Sequence, residues 1–248
     1  MSQSEGDRPT ATSVPVDEGT MLLFDKPLQW TSFDAVQMVR DLLGIAKAGH
    51  AGTLDPRASG LLIICTGRQT KRMHEFTDLE KEYTGTFQLG IRTASFDLET
   101  AIIEHADFST VTRERLDSAA NGFLGRQLQM PPMFSAVKHH GQPLYKYARK
   151  GKTLERKEKE IDIQEFSILS FIPPNVTFRV RCSKGTYIRA LANDIGEILG
   201  CGATLTELRR TRIGEYRVED ALTLTQLESM KKERTFSQSE AHGHPLPA

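Results

Sequence analysis

Cysteine is scarce in this chain, and the few present do not pair. Cys65, Cys182 and Cys201 lie far apart, with no C-x-x-C spacing. That pattern argues against a disulfide framework or a zinc site and for reduced, buried thiols in a cytosolic protein. Long apolar runs are missing too, so no segment is expected to cross a bilayer. The opening residues, Met1 to Asp7, lack the basic start and apolar centre of a secretion signal. Neither charge sign is in excess: 32 Lys and Arg against 32 Asp and Glu give a net charge of +0. Glycine-rich phosphate loops are absent as well. Ser183-Lys184-Gly185-Thr186 lacks the upstream glycine of a Walker loop, and there is no Rossmann fingerprint.

What is present is an ordinary soluble composition, 38% hydrophobic and 26% charged over 248 residues, enough for one sizeable core. The balanced net charge conceals segregation. Between 138 and 157 stand Lys138, Lys146, Arg149, Lys150, Lys152, Arg156 and Lys157 against Glu155 alone. Further clusters are Arg179, Arg181, Lys184 and Arg189, then Arg209, Arg210 and Arg212. Phosphate binding needs local positive potential, not a basic average. Each cluster taken singly also fits a solvated face.

Residues 1–19, rich in Ser, Thr, Pro and acids, read as a disordered tail, as do residues 235–248. His242 and His244 in the latter are expected to bind nothing. Strands are expected at Met21–Asp25, Leu61–Thr66, Tyr83–Leu89, Glu160–Phe171 and around Val176–Cys182. In Glu160–Phe171 the alternation slips phase, which a β-bulge near Glu165 explains. Helices are expected from a cap at Thr31 or Ser32 to Gly44, with Phe33, Val36, Val39 and Leu43 inward. Others are expected over Gln69–Phe76, over Thr112–Phe123 and from a Thr186 cap to Leu199. With consecutive strands and no glycine-rich βα turn, the pattern predicts an α+β fold: a mixed, largely antiparallel central sheet flanked by helices and loops. Residues 20–220 form one domain in this reading, followed by a short segment and tail over 221–248.

The most unusual stretch is Gly49-His50-Ala51-Gly52-Thr53-Leu54-Asp55-Pro56-Arg57-Ala58-Ser59-Gly60-Leu61-Leu62. Its glycines and Pro56 predict a structured loop between a helix and a buried strand, a place where sites tend to sit. By residue type alone, Asp55 fits a turn former at least as well as a catalytic group.

This stretch resembles the signature of the TruB family of tRNA pseudouridine synthases. Further resemblances follow in order: Leu23-Phe24-Asp25-Lys26-Pro27, Lys81-Glu82-Tyr83, Met130-Pro131-Pro132, Pro143 to Gly151, Ser183 to Arg189, and Leu208-Arg209-Arg210-Thr211. They extend over about residues 21 to 215. The resemblance implies the pseudouridine synthase fold and a cytoplasmic, monomeric enzyme with no cofactor. Its expected substrate is a uridine in the TΨC loop of tRNA (position 55), reached by base flipping. It implies that Asp55 is the catalytic carboxylate, that Arg189 pairs with it, and that Tyr83 stacks on the base. A carboxylate beside the anomeric carbon suits cleavage of C1′–N1, as in glycoside chemistry, and a nearby cation would hold it ionised under a flipped base. Lys26, His50 and Leu208 are implied in substrate binding. Lys138, Lys146, Arg149, Lys150, Arg209 and Arg210 are implied in RNA binding, the first four on an insertion of about 130–158 that clamps the stem-loop. The PUA domain many relatives carry is expected to be missing, and Gln29 stands where the family often has Gly.

Two rival readings are an RNA-binding protein without catalysis and a small-substrate retaining glycosidase. Joint retention of Asp55, Tyr83 and Arg189 speaks against the first. The second needs two close carboxylates, and the Asp55 motif supplies no acidic partner.

Overall fold

The structure is a computed structural model, and it describes residues 19–230. Of the expected tails, residues 1–18 of the first and all of 235–248, with His242 and His244, lie outside the described residues.

In chain order the first half comprises β1 (Met21–Lys26), α1 (Ser32–Leu43), β2 (Ala48–Ala51), β3 (Ala58–Thr66), α2 (Met73–Thr77), β4 (Lys81–Leu89), β5 (Ile91–Thr93), β6 (Ile102–His105) and α3 (Arg113–Asn121). The second half comprises β7 (Gly125–Gln129), β8 (Lys138–His139), β9 (Gln142–Pro143), α4 (Leu144–Ala148), β10 (Lys159–Ile172), β11 (Asn175–Cys182), α5 (Ile188–Leu199), β12 (Ala203–Ile213) and β13 (Tyr216–Arg217).

One sheet dominates, in the order β1-β3-β12-β4-β11-β10-β7, with β2 on β3 and β13 on β12. All its pairings are antiparallel except β12 with β3. The sheet is therefore mixed and largely antiparallel, as the pattern predicts. β4 alternates buried and half-buried residues throughout, the signature of a strand with one face on the core. That core joins Phe87, Leu116, Val176, Ile195 and Leu205, packing α3 and α5 against the sheet. A second cluster seats α1 on β1 and β3 through Val36, Val39, Phe24 and Leu62.

α1 begins at a Thr31 capping box and ends at Gly44 in the left-handed conformation. Its stripe differs in one member, since Phe33 is 67% exposed. The slip in β10 is real: its register with β11 shifts between Ile163 and Glu165, so Ile161, Ile163, Phe166 and Ile168 all stay in the core. α5 starts later than expected. Its N-cap is Tyr187, while the Thr186 hydroxyl donates to the Ser183 carbonyl instead of capping. Gln69–Phe76 divides into a 3-10 turn over Gly67–Arg72 and the short α2. β12, at the centre of the sheet, has no counterpart among the expected strands. The segment after 220, expected outside the domain, packs into it: Leu222 bridges to Phe24, and Leu227, on a helical run over 224–230, is buried with α1.

Candidate active site

The Asp55 loop crosses from β2 to β3 and is held from several sides. The Ser32 hydroxyl donates to the Leu54 carbonyl at 3.1 Å and accepts from the Leu54 amide at 2.8 Å. The Gln29 amide donates to the Pro56 carbonyl at 2.7 Å. Gln29 itself sits in the turn that Lys26 fastens, its ammonium donating to the carbonyls of Pro27 and Trp30 at 3.0 and 2.6 Å. Lys26 is fully buried, which lowers its pKa to about 8, with Asp55 acting in the opposite direction. It supports the loop from below and does not line the cleft.

At the end of this loop Asp55 meets Arg189, whose Nε donates to Oδ2 at 2.8 Å. The guanidinium is 5% exposed and the carboxylate 38%, so the pair has one closed side and one open side. Arg189 has further anchors. It donates to the Ser95 carbonyl at 2.9 Å and the Phe134 carbonyl at 3.0 Å. Asp97 Oδ2 lies 3.6 Å from Arg189 Nε. Burial raises the pKa of Asp97, opposed by the Ser95 hydroxyl and by Arg189.

Asp97 is the residue that reading the sequence misses. Its loop has no motif signal, and only folding brings it beside Arg189, 92 positions on. It gives Arg189 a second carboxylate from outside the Asp55 motif. With its side chain 6% exposed, however, it faces the guanidinium, not a substrate, so the two carboxylates do not flank a reacting bond as a glycosidase pair does.

The open side of Asp55 faces a cleft of about 850 Å³. Tyr83 and Leu208 line it, as do Arg189, Tyr187 and Ser135. Tyr83 is 8% exposed. Burial raises its pKa, while the nearby Arg210 charge works against that, so its phenol is neutral near neutral pH. Tyr187, also missed, is set by a buried Gln129, which accepts from its amide at 2.8 Å and donates to its carbonyl at 3.1 Å.

The other expected site residues fall outside this cleft, except Arg210, which also lines it. His50 lies on β2 outside the lining of this cleft, with Nδ1 buried and unpartnered. Burial first, then Arg210, lowers its pKa. Lys138, Lys146, Arg149 and Lys150 are exposed on the insertion. Arg149 pairs with Glu99 at 2.8 Å and lies 5.3 Å from the Tyr145 ring centre. Arg209 and Arg210, also implied in RNA binding, are both engaged within the protein. Arg209 makes a two-pronged pair with Asp25 at 3.0 and 2.7 Å. Arg210 is 1% exposed and donates to the backbone carbonyls of Leu61, Thr53 and Gly52. Arg179, Arg181 and Arg212 are likewise matched, by Glu165 and Glu80.

The site is thus a carboxylate–guanidinium pair on the floor of an open cleft beside a mixed sheet. Comparison with known proteins gives the class. Residues 40–188 match the TruB family pseudouridylate synthase N-terminal domain, and residues 189–243 match the tRNA pseudouridylate synthase B C-terminal domain. A tRNA pseudouridine synthase B of Chloroherpeton thalassium is 46% identical over 91% of this chain and 94% of its own length. That of Phocaeicola vulgatus is 51% identical over 84% and 91%. Among solved structures, an archaeal box H/ACA sRNP Nop10-Cbf5 complex aligns with a TM-score of 0.67 at 26% identity, over 90% of this chain. This chain spans 57% of the length of that one. The chain belongs to the TruB family of pseudouridylate synthases. The boundary between the two matched regions falls within α5, between Ile188 and Arg189, and so separates Arg189 from Asp55 in sequence although the two are hydrogen-bonded in the fold.

Proposed function

We propose that this chain isomerises uridine to pseudouridine in the TΨC loop of tRNA, at position 55, acting as a cytoplasmic monomer on a flipped nucleotide. The observation that carries this reading is the Asp55–Arg189 pair, buried on the arginine side and open to a cleft on the carboxylate side. At about 850 Å³ the cleft is within the range of about 300–1,000 Å³ typical of small-ligand sites, so it has room for one extruded nucleotide.

The reaction breaks C1′–N1, turns the uracil and forms C1′–C5. The C5 proton leaves and N1 gains one, so no atom or electron is supplied from outside. Asp55 acts at the sugar–base bond, and Arg189 fixes where its charge sits. Tyr83 offers an aromatic face to the base, and Leu208 closes an apolar wall that keeps water from the cleaved intermediate. The exposed cations of the insertion hold phosphates of the stem-loop.

Tritium release from tRNA labelled with [5-³H]uridine tests this reading, because only isomerisation frees the C5 hydrogen. Asp55→Asn is expected to abolish release while tRNA affinity stays within about tenfold, since no cation that meets phosphate is lost. Full activity in that variant would refute the assignment.

A further inference from the structure

One buried guanidinium fastens both ends of the catalytic loop, and we infer that Arg210 is a positioning residue for Asp55 and not a contact to RNA phosphate. Its Nη2 and Nη1 donate to the carbonyls of Gly52 and Thr53 at 3.2 and 3.4 Å, just ahead of Asp55. Its Nε donates to the Leu61 carbonyl at 2.7 Å, beyond the loop. Three acceptors on the two flanks of one segment require a rigid fork of donors, which guanidinium has and ammonium lacks.

The backbone adds a second constraint. Arg210 pairs with Gly60 of β3 on one side and with Tyr83 of β4 on the other. At Gly60, where φ is +107°, an added Cβ would lie 2.3 Å from the Arg210 carbonyl oxygen. The strand that carries Arg210 is therefore pressed against the strand that receives the loop, and neither can slide without the other. The row Gly60, Arg210, Tyr83 places the end of the catalytic loop, its fastener and the stacking ring side by side.

The charge is the unusual part. Burying a cation costs several kcal/mol unless it is well compensated. The adjacent Arg209 and the nearby Arg212 each have a carboxylate, Asp25 and Glu80, while Arg210 has none within 4.0 Å among the described residues. Carbonyl dipoles of the catalytic loop are what balance it, so loop geometry and buried charge are mutually dependent. Moving the loop by 1 Å would displace Asp55, and misplacement on that scale costs about 100-fold in rate.

This inference rests on the reading that Asp55 carries the isomerisation, so the parent is assayed first. Arg210→Lys and Arg210→Met are then compared by melting temperature, by tRNA affinity at two salt concentrations, and by single-turnover tritium release. Arg210→Lys keeps the charge but loses the fork. It is expected to fold, to bind tRNA within about threefold with an unchanged salt slope, and to turn over about 10- to 100-fold more slowly. Arg210→Met is expected to be slower still, so that lysine partly rescues. If methionine prevents folding, the lysine variant decides alone. Parental turnover in Arg210→Lys overturns the inference, as does a loss of affinity and salt slope that accounts for the lost rate, which is the mark of a phosphate contact. A parent that releases no tritium overturns the functional reading itself.

Discussion

Gln29 shows how a single backbone angle gives a residue meaning. Its φ is +68°, a left-handed conformation that costs an ordinary L-residue about 1–2 kcal/mol. Glycine would adopt this angle without that cost. The strained amide is the one that donates to Pro56, so the strain is tied to the catalytic loop. Gln29→Gly keeps that hydrogen bond and relieves the strain, while a more flexible unfolded chain returns part of the gain. The net expectation is about 0.5–1 kcal/mol of added stability in urea melts. A variant less stable than the parent would show that the Gln side chain contributes more than its backbone loses.

Neighbouring residues also show the limit of charge counting. Arg209 and Arg210 are alike in sequence, yet pleat alternation turns the first toward Asp25 and buries the second. A run of cations therefore did not identify which of them face RNA.

Among the larger elements, the insertion from about 130 to 158 is the one whose charge is expected to meet phosphate. Its exposed Arg149 is held in part by Glu99. An ion pair this exposed contributes only about 0–1 kcal/mol, so phosphate can displace the carboxylate at little cost. Replacing Arg149 and Lys150 together by Ala is expected to weaken tRNA binding and flatten its salt dependence, by up to about two phosphate contacts in the slope. An unchanged slope would mean that this run stays clear of the backbone. The same insertion reaches the catalytic centre through the Phe134 carbonyl on Arg189, so its docking and the Asp55 pair share one guanidinium.

For the molecule as a whole, burial of cations is a recurring cost that leaves a mark in pH dependence. Burial lowers Lys26 and Lys81 from 10.5 to about 8. Between about pH 8 and the unfolded value of 10.5, the folded chain releases these protons first and the unfolded chain holds more. Stability contributed through Lys26 therefore rises with pH across that window, and the full penalty is present below it. Lys26→Met removes this component. Urea melts from about pH 7.5 to 9.5 should show the parent gaining on the variant by up to about 1.4 kcal/mol per pH unit. Parallel pH profiles would place the Lys26 ammonium in contact with water.

Local sequence determined much of the fold. The α1 caps, the β4 alternation and the slipped phase of β10 are set by side-chain period and backbone sterics over a few residues, and they appear as expected, whereas the glycine–proline loop around Asp55, expected between a helix and a strand, joins the strands β2 and β3. The Asp55–Arg189 pairing was legible through motif resemblance, not through spacing. What only tertiary structure decided is which distant groups share one place. The parallel register of β12 on β3 puts Arg210 beneath the catalytic loop, and the loop after β5 sets Asp97 against Arg189. Partners separated by tens to more than a hundred residues leave no periodic trace in a chain, because long-range contacts follow from strand order and burial, which form only when the whole sheet does.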